Sequence, residues 1–467
     1  LSLPVDRSRR RWLAQAGLAG VALATPMARL LAAAGARSRP VSGYGPLVAT
    51  PDLNTGLPLL KVPRGFSYRT FGWIGEPLAD GTRTPTAHDG MGIVAASEDT
   101  LTLVRNHEIV RTNGAFGPEP LHYDPVCGGG TVTLEIDARE GTLRKAWPSL
   151  SGTVQNCAGG VTPWGTWLSC EEYVADRGKD GRIEVDSSAT QLSDLEREHG
   201  FVFEVDPAGT TPPVLLEGLG QFRHEAAVVH APTGIVYLTE DRAPRAGFYR
   251  FVPDEPGKLA AGGRLQMLRA AGSRYLHLGV RVGQSWKTSW VDIEEPGRGH
   301  RRRRDGIGVL SQGLDGGGTA FTRLEGCWAT EDAIYFTATN GGDNYAGQVW
   351  VYYPGDERIS LLFESSGRDT MYYPDNICFS PRGGMVICED GKRLGCRMWG
   401  LNARGELFEL AQNNVRLAGS PFGLRGDFRS EEWAGACFSP DGKWLFANNY
   451  SPGFTVAITG PWKDDLV

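Results

Sequence analysis

The stretch Val228-Val229-His230-Ala231-Pro232-Thr233-Gly234-Ile235-Val236-Tyr237-Leu238-Thr239-Glu240-Asp241 reads as one β-hairpin: apolar strand, Pro/Gly turn, apolar strand, acidic end. The pattern returns at Cys378-Phe379-Ser380-Pro381-Arg382-Gly383-Gly384-Met385-Val386-Ile387-Cys388-Glu389-Asp390. It returns again at Cys437-Phe438-Ser439-Pro440-Asp441-Gly442-Lys443-Trp444-Leu445-Phe446-Ala447-Asn448-Asn449. Looser copies run from Gly159 to Glu172, from Cys327 to Asn340 and from Met91 to Glu108. A hairpin repeated every roughly 50 to 100 residues matches propeller blades with insertions between them. Three close copies of one turn argue against a β-sandwich with chance-similar hairpins. Six copies predict an all-β, six-bladed β-propeller. Abundant glycine (63 residues) and short apolar runs agree, and few segments show a helical period, Leu192 to His199 being one short candidate.

Outward from the repeat, the N-terminus is of another kind. Ser8-Arg9-Arg10-Arg11-Trp12-Leu13 has the form of a twin-arginine export signal, followed by a mildly apolar stretch from Ala14 to Ala34 and small residues suited to cleavage. Residues 1–36 are therefore expected to be a signal peptide read by the twin-arginine machinery, with 37–467 a single propeller domain. The alternative, an uncleaved anchor, fits poorly with Pro26 and Arg29 inside the stretch. The expected location is periplasmic or secreted, without stable membrane association. The chain of 467 residues carries a net charge of −6, and residues 1–36 hold five Arg and one Asp, so the remainder stands at −10. So acidic a body argues against a nucleic-acid partner, and the basic run from Arg298 to Asp305 reads as a solvated loop. Eight cysteines show no small-scaffold spacing, and most lie in apolar runs where a thiol packs as a small hydrophobe.

The ends of the repeats carry the chemistry. At one offset stand Asn106-His107-Glu108, Cys170-Glu171-Glu172, Thr239-Glu240-Asp241, Thr339-Asn340, Cys388-Glu389-Asp390 and Asn448-Asn449. Equivalent strand ends of a propeller face one mouth of its channel, so carboxylates, amides and a thiol are expected to converge there. Confined carboxylates raise each other's pKa values unless cations neutralise them, and oxygen-rich clusters suit hard ions such as Ca²⁺. Cys170 beside Glu171 would suit a softer transition metal, or else alternation turns it into the core. Arg323 and Glu325 fall on one strand face, where Arg323 either grips an oxyanion or braces Glu325. No nucleophile elbow, HExxH helix, P-loop or dinucleotide fingerprint is present.

Longer motifs carry a resemblance. His88-Asp89-Gly90-Met91, Asn106-His107-Glu108, Asn156-Cys157-Ala158-Gly159-Gly160, Thr162-Pro163-Trp164-Gly165-Thr166-Trp167-Leu168-Ser169-Cys170-Glu171-Glu172, Arg223-His224-Glu225, Arg323-Leu324-Glu325-Gly326, Pro374-Asp375-Asn376 and Cys388-Glu389-Asp390 resemble the PhoX-type alkaline phosphatases from about Gly65 to Trp462. The resemblance implies a cluster of Ca²⁺ and Fe³⁺ that hydrolyses small phosphate monoesters, with a metal-bridging oxygen as nucleophile. It implies Cys170 as an iron ligand; Glu108, Glu171, Glu225 and Glu325 as iron or calcium ligands; and Asp375, Glu389 and Asp390 as further candidates. Asn156 and Arg323 would contact the phosphate. The chain is shorter than many members, so substrate-selecting loops are expected to be trimmed. Two alternatives stay open: a calcium-dependent propeller lactonase or diesterase, and a non-enzymatic binding propeller.

Overall fold

The computed structural model describes residues 40–467 apart from 179–180, 186–187, 193, 303–304, 392 and 465. The expected export signal at residues 1–36 lies outside the described residues. No helix among those described is long and apolar enough to cross a membrane.

Six antiparallel blades form a ring. Blade 1 consists of His88–Ala96, Thr100–His107, Gly129–Asp137 and Leu143–Thr153; blade 2 of Asn156–Val161, Trp167–Glu171, Val202–Val205 and Val214–Leu215. Blade 3 consists of His224–His230, Ile235–Glu240, Phe248–Pro253 and Gly263–Ala270; blade 4 of Leu324–Ala329, Ile334–Ala338, Gln348–Tyr353 and Arg358–Glu364. Blade 5 is Pro374–Phe379, Met385–Glu389, Arg397–Leu401 and Leu407–Asn413. Blade 6 takes Trp433–Phe438, Leu445–Asn449 and Phe454–Thr459, and its outermost strand, Ser67–Phe71, comes from the other end of the chain. That pairing closes the ring by joining the two ends of the propeller sequence in one blade. The insertion strand Ser285–Asp292 bridges the outer edges of blades 3 and 4.

Each blade interface has its own apolar core, because strands buried on both faces alternate large residues toward both neighbours. Blades 3 and 4 stack Phe248 on Phe336 with centroids 4.3 Å apart, while blades 4 and 5 bury Tyr335, Val351, Ile387 and Trp399 together. All eight cysteines are free and buried. Leu192 to His199 is not helical as expected. Leu192 ends a strand, Asp194 has a left-handed φ of 62°, and Leu195 and His199 make isolated bridges to Gly178 and Ala175. A left-handed residue stops a right-handed helix. The α-helix among the described residues is instead Gly308–Asp315.

Candidate metal centre

All six inner strands begin alike. Each carries a register shift against its hairpin partner: between His88 and Met91, Asn156 and Gly159, His224 and Ala227, Leu324 and Cys327, Pro374 and Ile377, and Ala434 and Cys437. A bulge of this kind re-aims the side chain it carries. The re-aimed residues are Asp89, Cys157, Glu225, Glu325 and Asp375, and Gly435 holds the same place in blade 6 without a side chain. A second set follows the second strands: Glu108, Glu172, Asp241, Thr339, Asp390 and Tyr450. Their backbone N–H groups donate at 2.8–3.3 Å to the carbonyls of Ala87, Gln155, Arg223, Arg323, Tyr373 and Glu432, the residues that lead into the inner strands. Four of these six leads are left-handed: Ala87 (φ 53°), Gln155 (51°), Arg323 (41°) and Tyr373 (57°). Strained backbone repeated at one position of one channel end marks a functional region.

Close approach of the blades makes the sets converge. A Cβ on Gly90 would lie 2.5 Å from the Ala158 Cα, and one on Gly326 would lie 2.4 Å from the Asp375 carbonyl oxygen. The carbonyls of the bulged residues are themselves held across the interfaces. Asn106 Nδ2 donates to those of Cys157 and Ala158, Thr239 Oγ1 to that of Glu325, Thr337 Oγ1 to that of Asp375, and Asn448 Nδ2 to that of Asp89. These four residues sit two places before Glu108, Asp241, Thr339 and Tyr450. The same position in blades 2 and 5 belongs to Cys170 and Cys388.

The convergent groups interlock. Donor atoms of Asp89, Glu108 and Cys157 lie within 4.8 Å of one another, as do those of Cys157, Glu172 and Glu225. Gln155 Nε2 donates to both Glu108 and Glu172, at 3.0 and 2.7 Å. Arg223 pairs with Glu172 at 2.8 Å. Arg323 grips both oxygens of Asp241 at 3.1 and 3.2 Å, pairs with Glu325, and reaches Asp390 at 3.5 Å. Burial, reinforced by neighbouring carboxylates, pushes Asp89, Glu172, Glu225, Glu325, Asp375 and Glu432 well above the ordinary carboxylate range. Burial would also raise Asp241, but the guanidiniums of Arg323 and Arg223 override it and hold Asp241 below that range. Oε1 of Glu225 is buried without a hydrogen-bond partner. Carboxylates plus one thiol, with an orphaned acceptor among them, form a donor set suited to hard cations and one softer metal.

Of the residues expected from sequence, Glu108, Glu225, Glu325, Asp375, Asp390 and Arg323 stand at this mouth. Four do not. Glu171 turns into its blade, where it accepts from the N–H groups of Val154, Gly200 and Phe201 and bonds His199. Glu389 does likewise, accepting from Tyr372 N, Arg397 N and Trp399 Nε1. Asn156 spends its amide on Ser169 and Thr153. Cys170 is fully buried in the apolar core between blades 2 and 3, with Leu168, Val202 and Leu238, and the thiol at the mouth is Cys157. Sequence reasoning missed Asp89, Cys157 and Glu432 as site residues, and named Glu172 and Asp241 only among the converging strand ends. The shared second position in His88-Asp89-Gly90, Asn156-Cys157-Ala158 and His224-Glu225-Ala226 was the signal for the first two.

Comparison with known proteins follows the geometry. The family described as Alkaline phosphatase PhoX matches residues 42–146 and 136–453. No curated protein matches the chain. Among solved structures, the chain is similar to a gluconolactonase from Xanthomonas campestris, at 13% identity and TM-score 0.34 over 83% of this chain and 98% of that one. It is also similar to the PQQ domain of pyranose dehydrogenase from Coprinopsis cinerea, at 12% identity and TM-score 0.33 over 88% and 98%.

Proposed function

This chain belongs to the alkaline phosphatase PhoX family, and we propose that it hydrolyses small phosphate monoesters at the acidic channel mouth, with calcium and iron held there. The observation that carries this reading is the convergence of buried carboxylates on Cys157, with Glu225 Oε1 left unpartnered. In this reading Cys157 takes the iron-ligand role that the sequence motif suggested for Cys170. Asp89, Glu108, Glu172 and Glu225 surround it and would share the iron and a calcium. Glu325 and Asp375, with Asp390 at the rim, would supply the oxygen donors for further calcium. Bound cations would neutralise phosphoryl oxygens and activate the attacking oxygen.

The chain's own residues do the rest. Arg323 is the substrate-facing cation: its side chain is 23% exposed, and the edge of its planar fork that Asp241 does not hold would meet the phosphate. Asp241 orients that fork from behind through two hydrogen bonds, and Arg223 adds positive charge beside Glu172. Asn156 acts at one remove, through Ser169 and Thr153 beside Cys157. The twin-arginine motif would deliver the protein to the periplasm or the exterior through its translocation machinery.

The test is an assay of metal-loaded protein against an aryl phosphate monoester, a phosphodiester and a lactone at alkaline pH. Monoester turnover that stops on chelation and returns with Ca²⁺ is expected. Loaded protein that leaves the monoester untouched would sink the proposal, and turnover of the lactone alone would replace it.

A further inference from the structure

Behind the channel wall, the loop that leads from blade 1's second strand to its third meets the segment that precedes Val202–Val205 of blade 2. Three different donors meet there, all fully buried: Asp124, Cys127 and His199. His199 Nε2 lies 3.6 Å from Cys127 Sγ and 3.4 Å from Asp124 Oδ2. The N–H···O separation exceeds the usual hydrogen-bond range of about 2.7–3.2 Å, and one N–H cannot serve both neighbours. A buried imidazole nitrogen therefore faces two partners at once, a sulfur at ordinary reach and a carboxylate oxygen beyond the usual range.

A metal ion resolves that geometry. Zinc-type ions take thiolate at about 2.3 Å and imidazole or carboxylate at about 2.0–2.1 Å, which at tetrahedral angles places sulfur about 3.5 Å, and oxygen about 3.3 Å, from the nitrogen. The observed 3.6 and 3.4 Å fit both. The other ring nitrogen adds independent support. Nδ1 lies 2.7 Å from Glu171 Oε1, while Glu171 Oε2 is fixed by the N–H groups of Gly200 and Phe201 at 2.8 and 3.2 Å. A carboxylate behind a histidine in this way sets the tautomer that leaves Nε2 free to ligate.

We propose that Asp124, Cys127 and His199 supply three of the ligands of a second metal site, separate from the channel mouth, for a thiophilic divalent cation of the zinc type, with a water molecule to complete its shell. Binding releases the Cys127 thiol proton and the Nε2 proton that the flanking carboxylates keep on His199 in the metal-free protein; Nδ1–H still donates to Glu171, and Nε2 then gives its lone pair to the metal. Asp124 keeps its contacts to the Glu196 and Arg197 N–H groups, so the ion staples both segments together. Its role is structural: Glu171 and Val154, which it braces, directly adjoin Glu172 and Gln155 of the mouth.

Elemental analysis tests this after dialysis against a chelator and reloading with Zn²⁺, on wild type, Cys127→Ser and Cys157→Ser. One zinc-type equivalent per chain should remain in wild type and Cys157→Ser and disappear from Cys127→Ser, which keeps its iron. Wild-type protein that retains no such equivalent, or an equivalent that Cys127→Ser leaves in place, overturns the proposal. Should Cys127→Ser not fold, the zinc-edge absorption spectrum of Cys157→Ser decides, since the channel thiol is then gone. A shell with sulfur at about 2.3 Å and imidazole nitrogen supports the site; an oxygen-only shell overturns it.

Discussion

At the end of blade 5's second strand, Glu389 turns into the blade and Asp390 into the channel mouth, and the two carboxylates meet different surroundings. Glu389 receives three hydrogen bonds from fixed donors, two of them backbone N–H groups. Asp390 meets the Arg323 guanidinium at 3.5 Å and the carboxyl of Glu432. Blade 2 repeats the division with Glu171 and Glu172. In blade 3, Glu240 bonds Tyr249 Oη and the Gly247 N–H while Asp241 faces Arg323. The first carboxylate of each pair turns into its blade and bonds backbone N–H groups there. The second turns to the mouth, where its neighbours are the arginines and the other acids gathered there. Acidity at a strand end thus says little by itself; what matters is which of the two surroundings the group meets.

The largest effect should separate the two thiols of blade 2. Cys157→Ser exchanges a soft ligand for a hydroxyl that ionises poorly, and should remove bound iron and nearly all phosphatase turnover while the propeller still melts cooperatively. Cys170→Ser should keep metal and rate, with a modest stability loss from a hydroxyl in an apolar core. Elemental analysis beside a rate assay reads both; iron lost from Cys170→Ser but not from Cys157→Ser would reverse the assignment. Next come the paired carboxylates. Glu389→Gln places an amide among donors and should destabilise by about 1–3 kcal/mol in urea unfolding, with metal content unchanged. Asp390→Asn should leave that stability nearly intact and weaken calcium binding instead. Equal unfolding losses in both variants would erase the distinction.

A pH titration extends the comparison to the whole mouth. For a carboxyl whose native pKa is raised, the native state holds its proton at pH values where the unfolded chain has released it. The unfolded state then binds fewer protons, so stability falls as pH rises. The window opens at the ordinary carboxylate value of about 4 and runs upward through the raised ones, past Glu240, which burial pushes up to about 7. Metal-free protein should therefore melt at a lower temperature at pH 8 than at pH 5, and calcium should remove most of that difference. Chelated protein with a flat or rising profile would show that the mouth is not a store of uncompensated acid.

Blade number was legible in the sequence because each hairpin keeps its turn chemistry: Pro232-Thr233-Gly234, Pro381-Arg382-Gly383 and Pro440-Asp441-Gly442 are local signals. Ser67–Phe71 as the outer strand of blade 6 was not, since that pairing spans nearly the whole chain. At the mouth, alternation allowed two faces for Glu171 and Glu172 without saying which looked inward. The inner-strand bulges add a residue and change the phase, so a plain period of two carries the reading to the wrong neighbour. Among the strand ends, Thr339 and Tyr450 rather than Asn340 and Asn449 hold the places equivalent to Glu108. Glu108, Glu225 and Glu325 were found through motif resemblance, where the phase is already built in.

The smallest expected effect probes how the mouth is held. Thr239 Oγ1 donates to the Glu325 carbonyl at 2.7 Å and accepts from the Ala226 N–H at 3.1 Å, tying blade 3 to the bulge of blade 4. Thr239→Val preserves the shape and removes both bonds, leaving a buried carbonyl and a buried N–H unpaired. Such a loss costs about 1–3 kcal/mol. Because the carbonyl belongs to Glu325, its carboxylate should also wander, weakening calcium affinity several-fold without emptying the iron position around Cys157, two blades away. Thr337→Val, which frees the Asp375 carbonyl, should behave in parallel. Calcium titrations of both variants, set beside their unfolding curves, separate positioning from bulk stability: equal loss of stability with unchanged calcium affinity would reduce these hydroxyls to ordinary interface hydrogen bonds.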